Sequence, residues 1–160
     1  MNATATSSPE LQLVDGKSAD LDSVIEVMNS AFDERFGEAW TRSQCAGILP
    51  MPGVKLVVAR IEGRAAGFSL HRTISDEAEL LLLAVSPDLR RQGIGRMLLD
   101  DFLENARNRG ASRVHLEVRE GNPAVIMYRS AGFALAGRRR KYYRGRFGGE
   151  FDALTLSREL

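Results

Sequence analysis

Leu83-Ala84-Val85 is followed, after a short loop, by Arg90-Arg91-Gln92-Gly93-Ile94-Gly95-Arg96 and then by a helix-periodic segment. A strand that ends in a glycine-containing loop and enters a helix aims several backbone N–H groups at one point. The helix dipole adds positive potential there, so a phosphate or pyrophosphate suits such a turn. Gly93 and Gly95 let the backbone come close to a ligand, and Arg90, Arg91 and Arg96 add cations nearby. The rival reading is a strand-to-helix turn with solvated arginines, and local features leave both open. Two familiar nucleotide motifs are excluded. Gly16-Lys17-Ser18 would end a P-loop, but Leu11 stands where its first glycine belongs; Gly93-Ile94-Gly95 opens a dinucleotide fingerprint, but Leu98 takes the place of its third glycine. No Ser-His-Asp or Cys-His set is evident. Cys45 falls in a short apolar helix as buried filler, and His71 and His115 lie on strands without a matching partner in sequence.

Two strands and a helix would have to hold this loop, and the rest of the chain supplies their neighbours. After a short strand at Leu11 to Val14, Leu21, Val24, Ile25, Met28, Ala31 and Phe32 recur at three and four, an amphipathic helix that starts just after Ser18. A second helix starts at Thr41, whose hydroxyl caps it while Gln44 reaches back. Val54 to Ile61 and Ala65 to Arg72 flank the turn Glu62-Gly63-Arg64 as a hairpin. The leucine run within Ala78 to Val85 reads as a central strand buried on both faces. A helix from Ile94 to Arg109, closed by Gly110, buries Leu98, Leu99, Phe102, Leu103 and Ala106. In Val114 to Arg119, Val114, Leu116 and Val118 face one way, and His115, Glu117 and Arg119 the other. Asn122-Pro123 opens a helix that runs to Ala131 and stops at Gly132. Two last strands, Phe133 to Arg139 and Glu150 to Ser157, surround a basic loop, all on one mixed sheet.

With these elements in place, the loop resembles the Arg/Gln-x-x-Gly-x-Gly/Ala motif of the GCN5-related N-acetyltransferase (GNAT) superfamily, as Arg90-x-x-Gly93-x-Gly95. Leu116-Glu117-Val118-Arg119, Asn122 and Tyr128-Arg129-Ser130-Ala131-Gly132-Phe133 look like its later signatures. Arg139-Arg140-Lys141-Tyr142-Tyr143 is similar to the Arg-Arg-x-Tyr-Tyr segment of the ribosomal-protein alanine N-acetyltransferase (RimI-like) group. The resemblance is strong from Ala78 onward and thin before Val54. It implies a three-layer α+β GNAT fold, a mixed, mostly antiparallel central sheet with about four helices, and acetyl-CoA as co-substrate with no metal. The backbone around Leu83, Ala84 and Val85 would hold the acetyl and pantetheine part. Arg91, Gln92, Gly93, Ile94, Gly95 and Arg96 would cradle the pyrophosphate, and Asn122 would reach the pantetheine arm. Glu117 matches the family's general base and Tyr128 its general acid.

A protein α-amine has a pKa of about 8, so much of it is protonated at neutral pH and needs a base before it attacks a thioester. A phenol near the sulfur can protonate the departing thiolate, and a strand N–H can polarise the acetyl carbonyl. The expected acceptor is the α-amine of a protein N-terminus, with the N-terminal alanine of a ribosomal protein as the leading case. A small amine or a lysine side chain would be an alternative acceptor, and a CoA- or RNA-binding module without turnover is the alternative of a different class. Glu117 has a bland rival as a solvent-facing residue paired with Arg119 or His115; Tyr128 has one as an ordinary core residue. Asn122 and Tyr128 are six positions apart where the family usually has seven. Either the helix start absorbs the missing residue, or Tyr128 is turned by ~100° away from its role.

Composition sets the outer bounds. The 160 residues with 44% hydrophobic and 27% charged side chains read as one domain over 10–160, preceded by a flexible small-polar N-terminus at 1–9. One cysteine forbids an internal disulfide, and two histidines beside it argue against structural zinc. The net charge of +1 gives no bulk argument for a nucleic-acid or membrane partner. The longest apolar run, Leu80 to Val85, is far short of the ~20 residues a membrane helix needs. Met1 to Pro9 lacks a signal peptide's pattern, so a cytoplasmic protein is expected. Arg138, Arg139, Arg140, Lys141, Arg144 and Arg146 concentrate cations in one segment, which leaves the remainder acidic. That segment could grip the CoA 3′-phosphate, contact ribosomal RNA or frame a peptide groove. A basic peptide would then need Glu34, Glu38 or Glu150 nearer to it. Oligomeric state is not readable.

Overall fold

Residues 10–160 are described by a computed structural model, and the expected flexible segment 1–9 lies outside the described residues. The chain runs β1 (Leu11–Asp15), α1 (Leu21–Ala31), α2 (Arg42–Ile48), β2 (Val54–Ile61), β3 (Arg64–Ile74), β4 (Glu77–Val85), α3 (Ile94–Asn108), β5 (Arg113–Arg119), α4 (Ala124–Ser130), β6 (Ala134–Arg144) and β7 (Glu150–Glu159). The strands form one sheet in the order β1-β2-β3-β4-β5-β7-β6. Among the described residues every pairing is antiparallel except β4 with β5, where α3 carries the chain back as the crossover that a parallel pair requires.

The apolar stripes land where the periodicities put them. Leu21, Val24 and Met28 of α1 and Cys45 of α2 pack on Leu56, Val58, Phe68 and Leu70 on one face of the sheet. On the opposite face, Leu99, Phe102, Leu103 and Ala106 of α3 meet Val114, Leu116 and Leu156, joined by Tyr128 and Phe133. Thr41 caps α2 as expected: its Oγ1 accepts from the Gln44 N–H at 3.2 Å, and the Gln44 side chain accepts from the Thr41 N–H at 2.8 Å.

The leucine run of β4 covers both faces through a bulge. Leu70 pairs with Leu82 but His71 with Leu80, so Leu81 is an extra residue on β4. Ala78 and Leu80 therefore belong to the α3 side, Leu82 and Ala84 to the α1 side, and the alternation changes phase within one strand. The bulge also marks where β4 leaves β5, whose pairing spans only Glu77–Leu80 against Arg113–Leu116.

One expected boundary is corrected. The basic segment is not a loop, because β6 continues to Arg144 along β7. Two irregularities absorb the mismatch in register, between Leu135 and Gly137 and between Arg139 and Tyr143. Lys141 takes a left-handed conformation at φ 52°, and its N–H donates to Asp152 Oδ1 at 2.9 Å. Among the described residues no helix is long and apolar enough to cross a membrane.

Candidate active site

Beyond Leu80 and Leu116 the two central strands part, and their free edges open two adjoining clefts. The larger has a volume of about 560 Å³ and is lined by Leu83, Ala84, Val85, Arg91, Gly93, Ile94, Gly95, Arg96 and Asn122 of the predicted set. Gln92 is the one predicted cofactor-site residue that lines neither cleft; it is exposed. The smaller cleft, about 110 Å³, is lined by Glu117, Tyr128, Leu83 and Asn122 together with Glu38, Trp40 and Tyr143. Leu83, Glu38 and Asn122 border both.

The larger cleft has the features of an anion site. Gly93 caps α3 in a left-handed conformation at φ 78°, and the first helical bond runs from the Met97 N–H to the Gly93 carbonyl. The amides of the first turn of α3 thus have no helical acceptor and sit at the positive end of the dipole. Ile94 sends its side chain into the core, so its contribution to the cleft is backbone. Arg90 donates to the Ala31 carbonyl at 3.0 Å, and Arg96 pairs with Asp100 at 3.0 Å, which positions their stems at the rim.

Titratable side chains gather in the smaller cleft. Glu117 sits on the polar face of β5 as alternation requires, yet its side chain is only 11% exposed. Oε2 accepts from Thr155 Oγ1 at 2.7 Å, directly across the β5–β7 ladder, and Oε1 lies 3.1 Å from Arg139 Nε. Arg139 is 63% exposed, so solvent screens that pair and it contributes little stability. The rival pairing of Glu117 with Arg119 or His115 does not occur. Arg119 pairs with Glu38, and His115 lies between Glu77 and Glu79, at 3.1 and 3.6 Å. Tyr128 is buried with its ring edge-on to Phe133. Burial, reinforced by the Glu38 charge, pushes its phenol well above the ordinary value, so it keeps its proton.

At the six-residue spacing from Asn122, Tyr128 lines the smaller cleft beside Glu117, and the start of α4 is tightly wound. Val125 N–H bonds to the Asn122 carbonyl and Ile126 N–H to the Pro123 carbonyl, i-to-i+3 bonds that wind the first turn tightly. Asn122 Oδ1 accepts from the Ala124 N–H at 2.9 Å, so it caps this turn as the sequence suggested.

Glu38 emerges in a position that sequence reasoning did not give it. Its carboxylate is 9% exposed and bridges Arg119 Nε at 2.9 Å and Asn122 Nδ2 at 2.8 Å. The Arg119 guanidinium lies 3.7 Å above the Phe36 ring, which stacks edge-on against Phe151. Thr155 and Tyr143, whose hydroxyl donates to the Glu117 carbonyl at 3.3 Å, were likewise not singled out as site residues. Their places depend on strand register and on a loop crossing from α1, neither of which a local motif records.

The same loop is tied to the β6–β7 hairpin. Arg146 N–H donates to the Glu34 carbonyl at 3.0 Å, and the two side chains pair. A Cβ on Gly37 would fall 1.9 Å from the Arg144 carbonyl oxygen, and one on Gly145 would fall 1.7 Å from that of Arg35. Only hydrogen fits at either place. Neutralisation accounts for most of the basic segment: Arg138 meets Glu120 and Asp152, Arg139 meets Glu117, Lys141 and Arg144 meet Glu150, and Arg146 meets Glu34. Glu34 and Glu150 are therefore spent within the segment. Cys45 is buried, and burial pushes its thiol up, the opposite of an activated nucleophile. Among the described residues no group of His, Cys, Asp or Glu is arranged to hold a metal ion.

A sheet split at its one parallel pair, with a glycine-capped helix facing the split, defines the class. The profile of the acetyltransferase (GNAT) family matches residues 21–133, and the chain belongs to that family. Among its relatives, the [ribosomal protein bS18]-alanine N-acetyltransferase of Escherichia coli K12 is 42% identical over 96 residues, 59% of this chain and 64% of that protein. The chain thus spans a little under two thirds of the length of that relative. The N-alpha-acetyltransferase RimI of Mycobacterium tuberculosis is 40% identical over 116 residues, 69% of this chain and 70% of that one. The crystal structure of the E. coli ribosomal-protein-S18-alanine N-acetyltransferase superposes with a TM-score of 0.82 at 29% identity, covering 94% of both chains.

Proposed function

We propose that residues 10–160 act as one catalytic unit that transfers acetyl from acetyl-CoA to the α-amine of a protein N-terminus, with the N-terminal alanine of a ribosomal protein of the bS18 type as acceptor. Such an acceptor places the enzyme in the cytoplasm. The observation that carries this reading is the junction of the two clefts: the larger, walled by the glycine-capped start of α3, adjoins the smaller, which Glu117 and Tyr128 line together. Leu83, Ala84 and Val85 offer the free edge of β4 to the pantetheine and acetyl group, and the start of α3 takes the pyrophosphate.

Each residue then has a task. Glu117, directly or through one water, takes the proton from the incoming ammonium. The freed amine forms the N–C bond to the acetyl carbon. A β4 amide stabilises the oxyanion as the tetrahedral intermediate forms. The C–S bond breaks, the Tyr128 hydroxyl gives its proton to the departing sulfur, and the second nitrogen proton, lost as the amide forms, restores the phenol through solvent. No step needs a covalent enzyme intermediate, which agrees with a site lacking an activated nucleophile. The relatives' names favour a protein N-terminus over a small amine.

The test mixes the protein and acetyl-CoA with two otherwise identical basic peptides, one with free N-terminal alanine and one with that amine blocked and an internal lysine. Mass spectrometry should find one acetyl group on the first and none on the second. Labelling of only the blocked peptide moves the acceptor to lysine, and no label on either refutes the N-terminal reading for these sequences.

A further inference from the structure

Among the described residues, Glu38 is the one nearly buried carboxylate that borders both clefts, and the proposed reaction leaves it without a task. Both of its partners are hydrogen-bond donors: Arg119 Nε to Oε1, and Asn122 Nδ2 to Oε2. Asn122 is held at its other end by the Ala124 N–H, which donates to Oδ1. The amide is thus fixed against a flip, since reversing it would set nitrogen against Ala124 N–H and oxygen against carboxylate. Nδ2 carries two hydrogens, and Glu38 uses one. The second remains for the channel that Asn122 lines. Through Arg119, the same carboxylate anchors the loop between α1 and α2 to the end of β5, with Phe36 beneath the guanidinium.

We propose that Glu38 is a positioning residue that joins the two substrate sites, orienting the Asn122 amide toward the acetyl-CoA arm while pinning the loop that walls the acceptor cleft. This rests on the acetyltransferase reading above and adds a residue to it. A glutamine at this position has only one acceptor oxygen for two donors. The charged Arg119 claims that oxygen, because hydrogen bonds with an ionised partner are the stronger ones. The glutamine NH₂ is then turned on Asn122, which loses its fixed orientation. Alanine removes both contacts and leaves Arg119 unpaired in a nearly closed space.

The two substitutions therefore separate the two tasks. Acetyl-CoA binding is measured directly by calorimetry, without acceptor, for the wild type, Glu38→Gln and Glu38→Ala; acceptor KM follows from steady-state kinetics at saturating acetyl-CoA. Glu38→Gln should weaken acetyl-CoA binding about tenfold while acceptor KM stays within about threefold, a split expected when only one of two contacts is lost. Glu38→Ala should raise both. A carboxylate that merely stabilised the fold would move both values together in Glu38→Gln, in step with a lowered melting temperature, and that result overturns the proposal. Unchanged acetyl-CoA binding in Glu38→Gln also overturns it. If the wild type itself binds no acetyl-CoA, the acetyltransferase reading fails, and this inference falls with it.

Discussion

Replacing Tyr128 by phenylalanine removes one oxygen atom and leaves the packing of the ring intact. The ring is buried against Phe133 and the α3 layer, and the hydrogen bonds around the cleft run through Glu38, Asn122, Thr155 and Tyr143 rather than through the Tyr128 hydroxyl. Tyr128→Phe should therefore leave no orphaned partner, and stability should change by less than about 0.5 kcal/mol, the range of a substitution outside the severe mechanisms. The chemical effect is of another size. A positioned acid contributes about 10²–10⁴-fold, equivalent to roughly 3–5 kcal/mol of barrier at about 1.4 kcal/mol per decade. The expected result is a fall in kcat of at least about a hundredfold with acetyl-CoA affinity nearly unchanged, read by single-turnover transfer beside calorimetric binding. A Tyr128→Phe enzyme with kcat within about threefold of wild type would refute the acid role, since no other effect on this scale is left to hide it.

Glu117→Gln keeps the Thr155 hydrogen bond available but cannot accept the ammonium proton, so transfer should fall about 10²–10⁴-fold while acetyl-CoA still binds; retained turnover would remove the base. His71 is fully buried and has no hydrogen-bond partner among the described residues, and burial, helped by Lys55 and Arg109, lowers its pKa from 6.5 to about 4. The unfolded chain takes up a proton below ~6.5 that the folded state refuses until about 4, so stability falls as pH falls through that window, by roughly 2–3 kcal/mol. Urea denaturation at successive pH values should show this loss in the wild type and a much flatter profile in His71→Leu; parallel profiles would refute the assignment. Gly145→Ala forces a methyl group onto the Arg35 carbonyl, costing about 1–3 kcal/mol as an overpacked contact. Acceptor KM should rise while acetyl-CoA affinity holds, and equal loss of both would show that the hairpin supports the whole molecule rather than the acceptor side.

Elements with a strong local period were legible from the chain. The α1 stripe, the Thr41–Gln44 cap, α3 up to Gly110 and the alternation of β5 all occur within a residue or so of their expected limits. The glycine loop was legible too, because backbone geometry at Gly93 and a helix start are local facts. What escaped notice depends on contacts between distant segments. Thr155 faces Glu117 only through the β5–β7 register, and Glu38 reaches Asn122 across 84 positions of sequence. The basic segment reads as a loop because its charges mask a strand. Opposed carboxylates on β5, β7 and the α1–α2 connection make that strand tolerable, and none of them is adjacent in sequence.

The extra residue at Leu81 turns the leucine run into something like a reading frame. Upstream of it, even-numbered side chains point to the α3 layer; downstream, even-numbered side chains point to α1. Deleting Leu81 would hardly alter composition or hydropathy, yet it would give β4 a regular ladder against β3, with Leu82 and Ala84 still opposite Leu70 and Phe68. What would go is the local bend and extra twist that a bulge brings, at the point where β4 leaves β5 and Leu83 and Val85 begin to border the proposed cofactor channel. Four nearly identical letters thus carry positional information through their number: one leucine too many is what keeps the frame of the strand out of step with a plain alternation.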